Sequence, residues 1–263
     1  FEALEIDRTK TSGYKTNKTG VSTGTKFEYL SDFIFGLSGK STIEKIETDS
    51  NASSQLKKQK GNYWDTFANL DFDYDKRNQK YKTSKGFRSS YNVNIPVISE
   101  VSTLTNSYSY NYYTELYEDN LTNLSIYLKS ANSIKNKDIK LSERLFIPSR
   151  KLRGFERGKV GPKDGNDFIG GNYVGALNFS STVPKVLENL QEIEILMFFD
   201  AANVWGVDYN SSLDEDDNIR SSIGVGVDWF TPIGPLNFSF AQPLSKSSND
   251  ITETFRFNLG TTF

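Results

Sequence analysis

ANLDFDYD, residues 68–75, sets Ala68, Leu70, Phe72 and Tyr74 on one face of an extended chain and Asn69, Asp71, Asp73 and Asp75 on the other. Successive side chains of a strand point to opposite faces, so the two sets meet different surroundings. Three carboxylates on one face argue against a dry sandwich core, because unpaired buried charges are costly. A wet interior with an apolar exterior suits them, as in a transmembrane barrel whose strands are apolar toward lipid and polar toward the lumen.

The same parity recurs along the chain. Ile223, Val225, Val227 and Trp229 oppose Ser222, Gly224, Gly226 and Asp228. Further apolar stripes are Tyr91, Val93 and Ile95; Tyr108, Tyr110 and Tyr112; Leu236, Phe238 and Phe240; and Phe255, Phe257, Leu259, Thr261 and Phe263. About twelve segments read this way, near 1–7, 16–29, 33–43, 63–75, 86–95, 102–116, 121–130, 172–180, 193–202, 220–230, 235–241 and 254–263. Several reach the roughly 9–11 residues that a tilted membrane strand requires. Short connections at Leu30–Asp32, Tyr117–Asn120 and Thr231–Gly234 alternate with long ones at Glu44–Asn62, Ala131–Gly171, Gly206–Ile219 and Gln242–Glu253. Short periplasmic turns and long outer loops are the habit of outer-membrane barrels. The mid-length turns Lys76–Lys85 and Ser181–Glu192 fall on the short side. The expected fold class is all-β, an antiparallel transmembrane β-barrel. A soluble sandwich would share the alternation, but not aromatics on the apolar face of nearly every strand.

Composition narrows the chemistry. The chain has 263 residues, enough for one large all-β domain or two small ones. A formal net charge of −2 gives no reason to expect nucleic acid as a partner. Without Cys there is no disulfide or thiolate metal site, and without His there is no His-based triad, which leaves an enzyme only carboxylates, Lys or Tyr to work with; no metal, cofactor or enzymatic role is expected. Aromatic residues make up 14% of a chain of low mean hydropathy, a pairing that fits a membrane barrel. The longest strongly apolar run, Ile195–Phe199, is far short of the roughly twenty residues of a membrane-spanning helix. No signal peptide is visible and the first residue is Phe, which points to a processed or excised chain. The acidic run Asp214-Glu215-Asp216-Asp217 lacks metal-ligand spacing and reads as a solvated outer loop.

One segment breaks the alternation. SRKLRGFERGKVGPKDGNDFIGGNY, residues 149–173, has six glycines and many charges, too many for a strand. Its basic residues show no nucleotide-loop pattern, so lipopolysaccharide or lumen carboxylates are their expected partners. Parity along 193–200 puts Ile193, Ile195, Met197 and Phe199 on the apolar face, and Glu194 and Asp200 on the lumenal one.

Four stretches carry a resemblance: LRGFERGKVGP at 152–162, FFDAANVW at 198–205, TPIGPLNFSFAQPL at 231–244 and the terminal FRFNLGTTF. In this order, and in register from about residue 16 onward, they resemble the outer-membrane barrel-assembly factor family of BamA type. The resemblance implies the last twelve strands of a sixteen-stranded barrel, with the first four strands and the periplasmic domains upstream of this chain. It implies that the loop at about 149–171 folds back into the lumen. There its tip, Arg153, Gly154 and Phe155, meets an inner-wall acceptor matching Asp200. A second family acceptor, a Glu, aligns with Asn178, so Arg153 relies on Asp200 alone or with help from Glu194. The last strand, with Phe255, Phe257, Leu259, Gly260 and Phe263, would serve as terminal-strand signal and as one side of a lateral seam. The implied function is folding and insertion of β-barrel proteins into the bacterial outer membrane. The implied partners are unfolded outer-membrane protein clients, accessory assembly lipoproteins and outer-membrane lipids. An export channel of the same superfamily and a passive porin-like barrel remain as alternatives.

Overall fold

A computed structural model describes residues 1–183, 192–213, 217–231 and 234–259. Twelve antiparallel strands form one sheet in chain order. They are β1 (Glu2–Arg8), β2 (Tyr14–Leu30), β3 (Phe33–Thr48), β4 (Gly61–Asp75), β5 (Gly86–Ile98), β6 (Thr103–Thr114) and β7 (Thr122–Ser133), then β10 (Tyr173–Thr182), β11 (Ile193–Trp205), β12 (Arg220–Thr231), β13 (Gly234–Ser245) and β14 (Phe255–Leu259). Between β7 and β10 the long loop carries a two-residue hairpin, β8 (Lys163–Asp164) with β9 (Asp167–Phe168). Two short helices, α1 (Thr9–Ser12) and α2 (Ser54–Lys58), sit in connections at the same end of the sheet as that loop. β1 and β14 are the two edges, and among the described residues no pairing joins them.

Register sets the two faces. Leu37, Leu70 and Val93 stand side by side across β3, β4 and β5, and Phe35, Phe72 and Tyr91 do the same. Their rings form a band on the outer face, with centroids 5.3 Å apart for Phe35–Phe72 and 6.2 Å for Phe72–Tyr91. On the inner face Asp73 takes a two-pronged ion pair from Arg88, at 2.9 and 2.8 Å, and Asn92 donates to Asp71 at 2.7 Å. The carboxylates of 68–75 therefore point inward, each with a polar partner, while the outward residues Leu37, Tyr91, Val225 and Met197 stay exposed.

Several strands outrun the alternation. β3 continues to Thr48 where the sequence suggests an end at residue 43, β2 starts at Tyr14, β11 reaches Trp205 and β13 reaches Ser245. The polarity of the two faces reverses there. In β3, Lys45 is exposed while Glu44 and Ile46 are buried on the inner face. Ile46 packs with Tyr14, Leu56, Leu141, Ile169 and Val207 in an apolar cluster. A second cluster joins the loop residues Ile139, Leu145, Leu152, Phe155 and Val160 to the wall residues Val174, Ala176, Ala202 and Val204. At its loop end the lumen is thus filled with a core, and the apolar stripe that faces outward lower down is replaced by one that faces the plug. The connection Ser99–Ser102 between β5 and β6 is short although it lies at this end. Two bulges, in β5 opposite Thr66–Phe67 and in β13 opposite Ser221–Ser222, lie beside Pro96 and Pro243, which have no N–H for the ladder.

Candidate functional site

Asp200 sits mid-strand on β11, paired across to Asn178 on β10 and to Ser222 on β12. All three inward side chains grip the loop between β7 and β10. The backbone N–H and Nε of Arg153 donate to Asp200 Oδ2 at 3.0 and 2.7 Å, and Nη2 donates to Oδ1 at 2.8 Å. Asn178 Nδ2 donates to the same Oδ1 at 2.9 Å and to the carbonyl of Lys151 at 2.8 Å. Ser222 Oγ donates to the carbonyl of Arg153 at 2.6 Å. The guanidinium also lies over the Phe198 ring, 3.4 Å from its centroid. The Asp200 carboxylate is fully buried and the Arg153 side chain is 19% exposed, so both ends of this two-pronged pair are largely removed from water. Charge-assisted forks of this kind fix orientation as well as attraction.

The residues after Arg153 explain the tight fit. Gly154 has φ +87, and a Cβ there would stand 3.1 Å from Ala241 Cβ and 3.3 Å from Ser222 Cβ. Glycine meets both demands, a left-handed backbone and close approach to the wall. Phe155 is buried in the plug and forms an isolated bridge with Thr252 in the β13–β14 connection. Next to it, Glu156 N–H donates to Ile251 O at 2.8 Å and Glu253 N–H to Gly154 O at 3.0 Å. The loop tip is therefore fastened to the wall at β10–β12 and to the loop leading into the last strand.

Glu194 lies apart from this pair. It faces inward on β11 but its carboxylate is taken by Lys82 from the β4–β5 turn, so it gives Arg153 no help. Asn178 stands where the family resemblance puts an acidic acceptor, yet it acts as a donor to Asp200. An amide in place of a carboxylate there removes a like charge beside Asp200 and adds a hydrogen bond. Phe255, Phe257 and Leu259 form an exposed outward stripe on β14. Gly260 and Phe263 lie outside the described residues, as does most of the acidic run at 214–217.

Three anchors escape the sequence motif. Arg256, inward on β14, donates to Ser149 O at 2.7 Å, to Phe155 O, and to Glu253 at 3.0 and 2.8 Å. Arg220 and Asp250, both buried, pair at 2.9 Å, and Asp250 also accepts from Gly161 N–H at 3.3 Å. Lys140, buried in the loop, meets Asp65 on β4, Glu44 on β3 at 3.6 Å and Glu143 at 3.1 Å. Parity marks Arg256 as inward once Phe255 and Phe257 are outward. For Lys140 no local pattern exists, because its partners lie far off in sequence.

Residues 1–263 match the Omp85 superfamily domain. Among curated proteins the chain is similar to the outer membrane protein assembly factor BamA of Neisseria meningitidis serogroup B, with 30% identity over 139 residues, 43% of this chain and 17% of that protein. It is also similar to the BamA of Neorickettsia risticii, with 26% identity over 53% of this chain and 19% of that protein. The chain thus matches less than a fifth of the length of these relatives. Among solved structures, BamA from Haemophilus ducreyi lacking POTRA domains 1–3 superposes with a TM-score of 0.84 at 21% identity, covering 97% of this chain and 56% of that one.

Proposed function

The chain belongs to the Omp85 superfamily, and from that premise we propose that it acts within an outer-membrane protein assembly factor, promoting the folding and insertion of β-barrel clients. It is a BamA-type barrel of the bacterial outer membrane. The observation that carries the reading is the loop tip clamped inside the lumen by Arg153 on Asp200. A passive pore needs no such motif loop. Asp200 on β11 stands between Asn178 on β10 and Ser222 on β12, and all three side chains hold the loop, so the loop position and the local shape of the wall depend on each other. The reading requires no bond-making chemistry, only strand pairing. An incoming strand adds to an exposed sheet edge through backbone hydrogen bonds. β14 offers such an edge: it pairs with β13 over Phe255–Leu259, and its other side has no partner among the described residues.

The test uses the full-length protein in liposomes with urea-denatured client barrels, scored by client protease resistance. Arg153→Ala should slow client assembly roughly tenfold, the equivalent of ~1.4 kcal/mol, while the variant itself still inserts and folds. Normal client assembly by the folded variant would refute the clamp's role. Clients that remain unfolded while ions or a passenger cross at the wild-type rate would favour the porin or export reading.

A further inference from the structure

Below the plug, toward the short-turn end, the lumen holds a chamber of about 450 Å³ whose lining is strongly basic. Eight Lys or Arg side chains face it against two carboxylates, Glu194 and Asp228. Arg77, Arg88, Arg153 and Arg256 are paired with Asp75, Asp73, Asp200 and Glu253, and Lys82 with Glu194. Lys151 differs. Its ammonium donates to Ser125 Oγ at 2.6 Å and lies 5.9 Å from the centre of the Tyr127 ring, with no carboxylate in its ion-pair shell among the described residues. Lys80, also on the chamber wall, has no ion pair there either, and neither does Lys129, the next inward residue on β7 after Tyr127. Burial pulls the Lys151 pKa down; the Asp200 carboxylate, beyond ion-pair distance, pushes it the other way, and Arg153 adds a smaller downward pull. A partly desolvated ammonium with a hydroxyl and a ring for company retains a cost that an arriving anion would offset. The remaining wall, with Asn123, Ser125, Asn178, Ser180 and Asn237, supplies amides and hydroxyls suited to an extended backbone.

We propose that this chamber binds the carboxylate side chains of an extended polypeptide segment, with Lys151 as the anchoring cation. The ligand's identity as polypeptide rests on the assembly reading above; the anion preference rests on the chamber alone. Its volume falls in the range of built ligand pockets and admits a short stretch of chain, not a folded domain. Carboxylates from Asp or Glu and free phosphate share the same anionic oxygens, and the experiment separates them.

The experiment is equilibrium binding of a fluorescent Gly-Ser peptide with four interspersed Glu to the full-length protein in neutral detergent, with the matching Gln peptide and inorganic phosphate as comparisons. The Glu peptide should bind, the Gln peptide should bind roughly tenfold more weakly, and added salt should narrow the gap. Lys151→Gln should abolish the preference for Glu and Lys151→Arg should restore it, with the Arg153 clamp left in place. Equal binding of both peptides, or a Lys151→Gln variant that keeps the preference, would overturn the proposal. So would displacement by phosphate without any Glu-over-Gln preference, which would mark a small-anion site only. Because no client is assembled, the assembly reading and the chamber fail separately. Arg153→Ala is read by client assembly and Lys151→Gln by peptide preference, and loss of peptide preference with normal assembly removes only the chamber.

Discussion

At the level of single residues, Arg153 could not be a lysine without loss. Its two donors take different oxygens of Asp200 and its flat face lies on Phe198, whereas an ammonium is a point charge that neither forks nor stacks. Gly154 is equally constrained. Gly154→Ala must hold a left-handed backbone, costing about 1–2 kcal/mol, and must also push its Cβ against Ala241 and Ser222. The expected outcome is faster hydrogen exchange at 149–160 with β4 and β5 unchanged, measured on the folded barrel. The motif and strand parity made Arg153 and Asp200 legible together in the sequence. They did not reveal Asn178 and Ser222 as donors that complete the clamp, since that needs the register of β10 and β12 against β11. Glu194 shows the limit of parity: it is inward as read, but the Lys82 turn reaches it first.

At the level of elements, β3 shows why boundaries drift. The apolar residues move from the outer face, with Leu37 and Ile43, to the inner face at Ile46, so a period-two reading stops where the strand does not. The last strand carries a related lesson. β14 is an edge, and Arg256 ties it from the inside to the carbonyls of Ser149 and Phe155. Arg256→Gln cannot span both, so exchange of the β14 amides at 255–259 should quicken roughly tenfold, equal to ~1.4 kcal/mol, with the exchange of β4 and β5 unaltered. Unchanged β14 exchange would show that pairing with β13 alone holds the strand. The loop has its own lock at Lys140. Lys140→Met leaves Asp65 and Glu143 without their cation and Glu44 with only Lys18 at 3.9 Å, a change worth about 3–5 kcal/mol. Burial already pushes the Glu143 carboxyl up. A carboxyl whose pKa is raised on folding favours the folded state at low pH, and that contribution is lost as pH rises through the folded pKa. The Lys140→Met deficit, read from protease cleavage of the loop, should therefore shrink as pH falls from neutral.

At the level of the whole molecule, the outer face is a lipid-facing surface and the inner face is half chamber, half core. Val225 is exposed on β12, mid-strand on the apolar face, between Met197 and Phe240 across the sheet. Val225→Arg should cost about 2–4 kcal/mol if that position lies near the bilayer midplane, measured as a lower denaturant midpoint for the barrel in lipid vesicles. A barrel of unchanged midpoint would mean that this face does not meet lipid. The sequence by itself determined a count of about twelve strands, their antiparallel order, which face the side chains of the alternating segments take and the identity of the loop that leaves the wall. Those features are local: alternation reports the medium beside each residue, and a glycine-rich charged run cannot join a ladder. Only the tertiary structure decided how the returned loop is fastened beyond Arg153 and Asp200. Lys140 on Asp65, Arg220 on Asp250 and Arg256 on the loop carbonyls pair residues distant in the chain. Such pairs form only once the wall has curved and the loop has returned through it, and no spacing within either partner's own segment encodes that meeting.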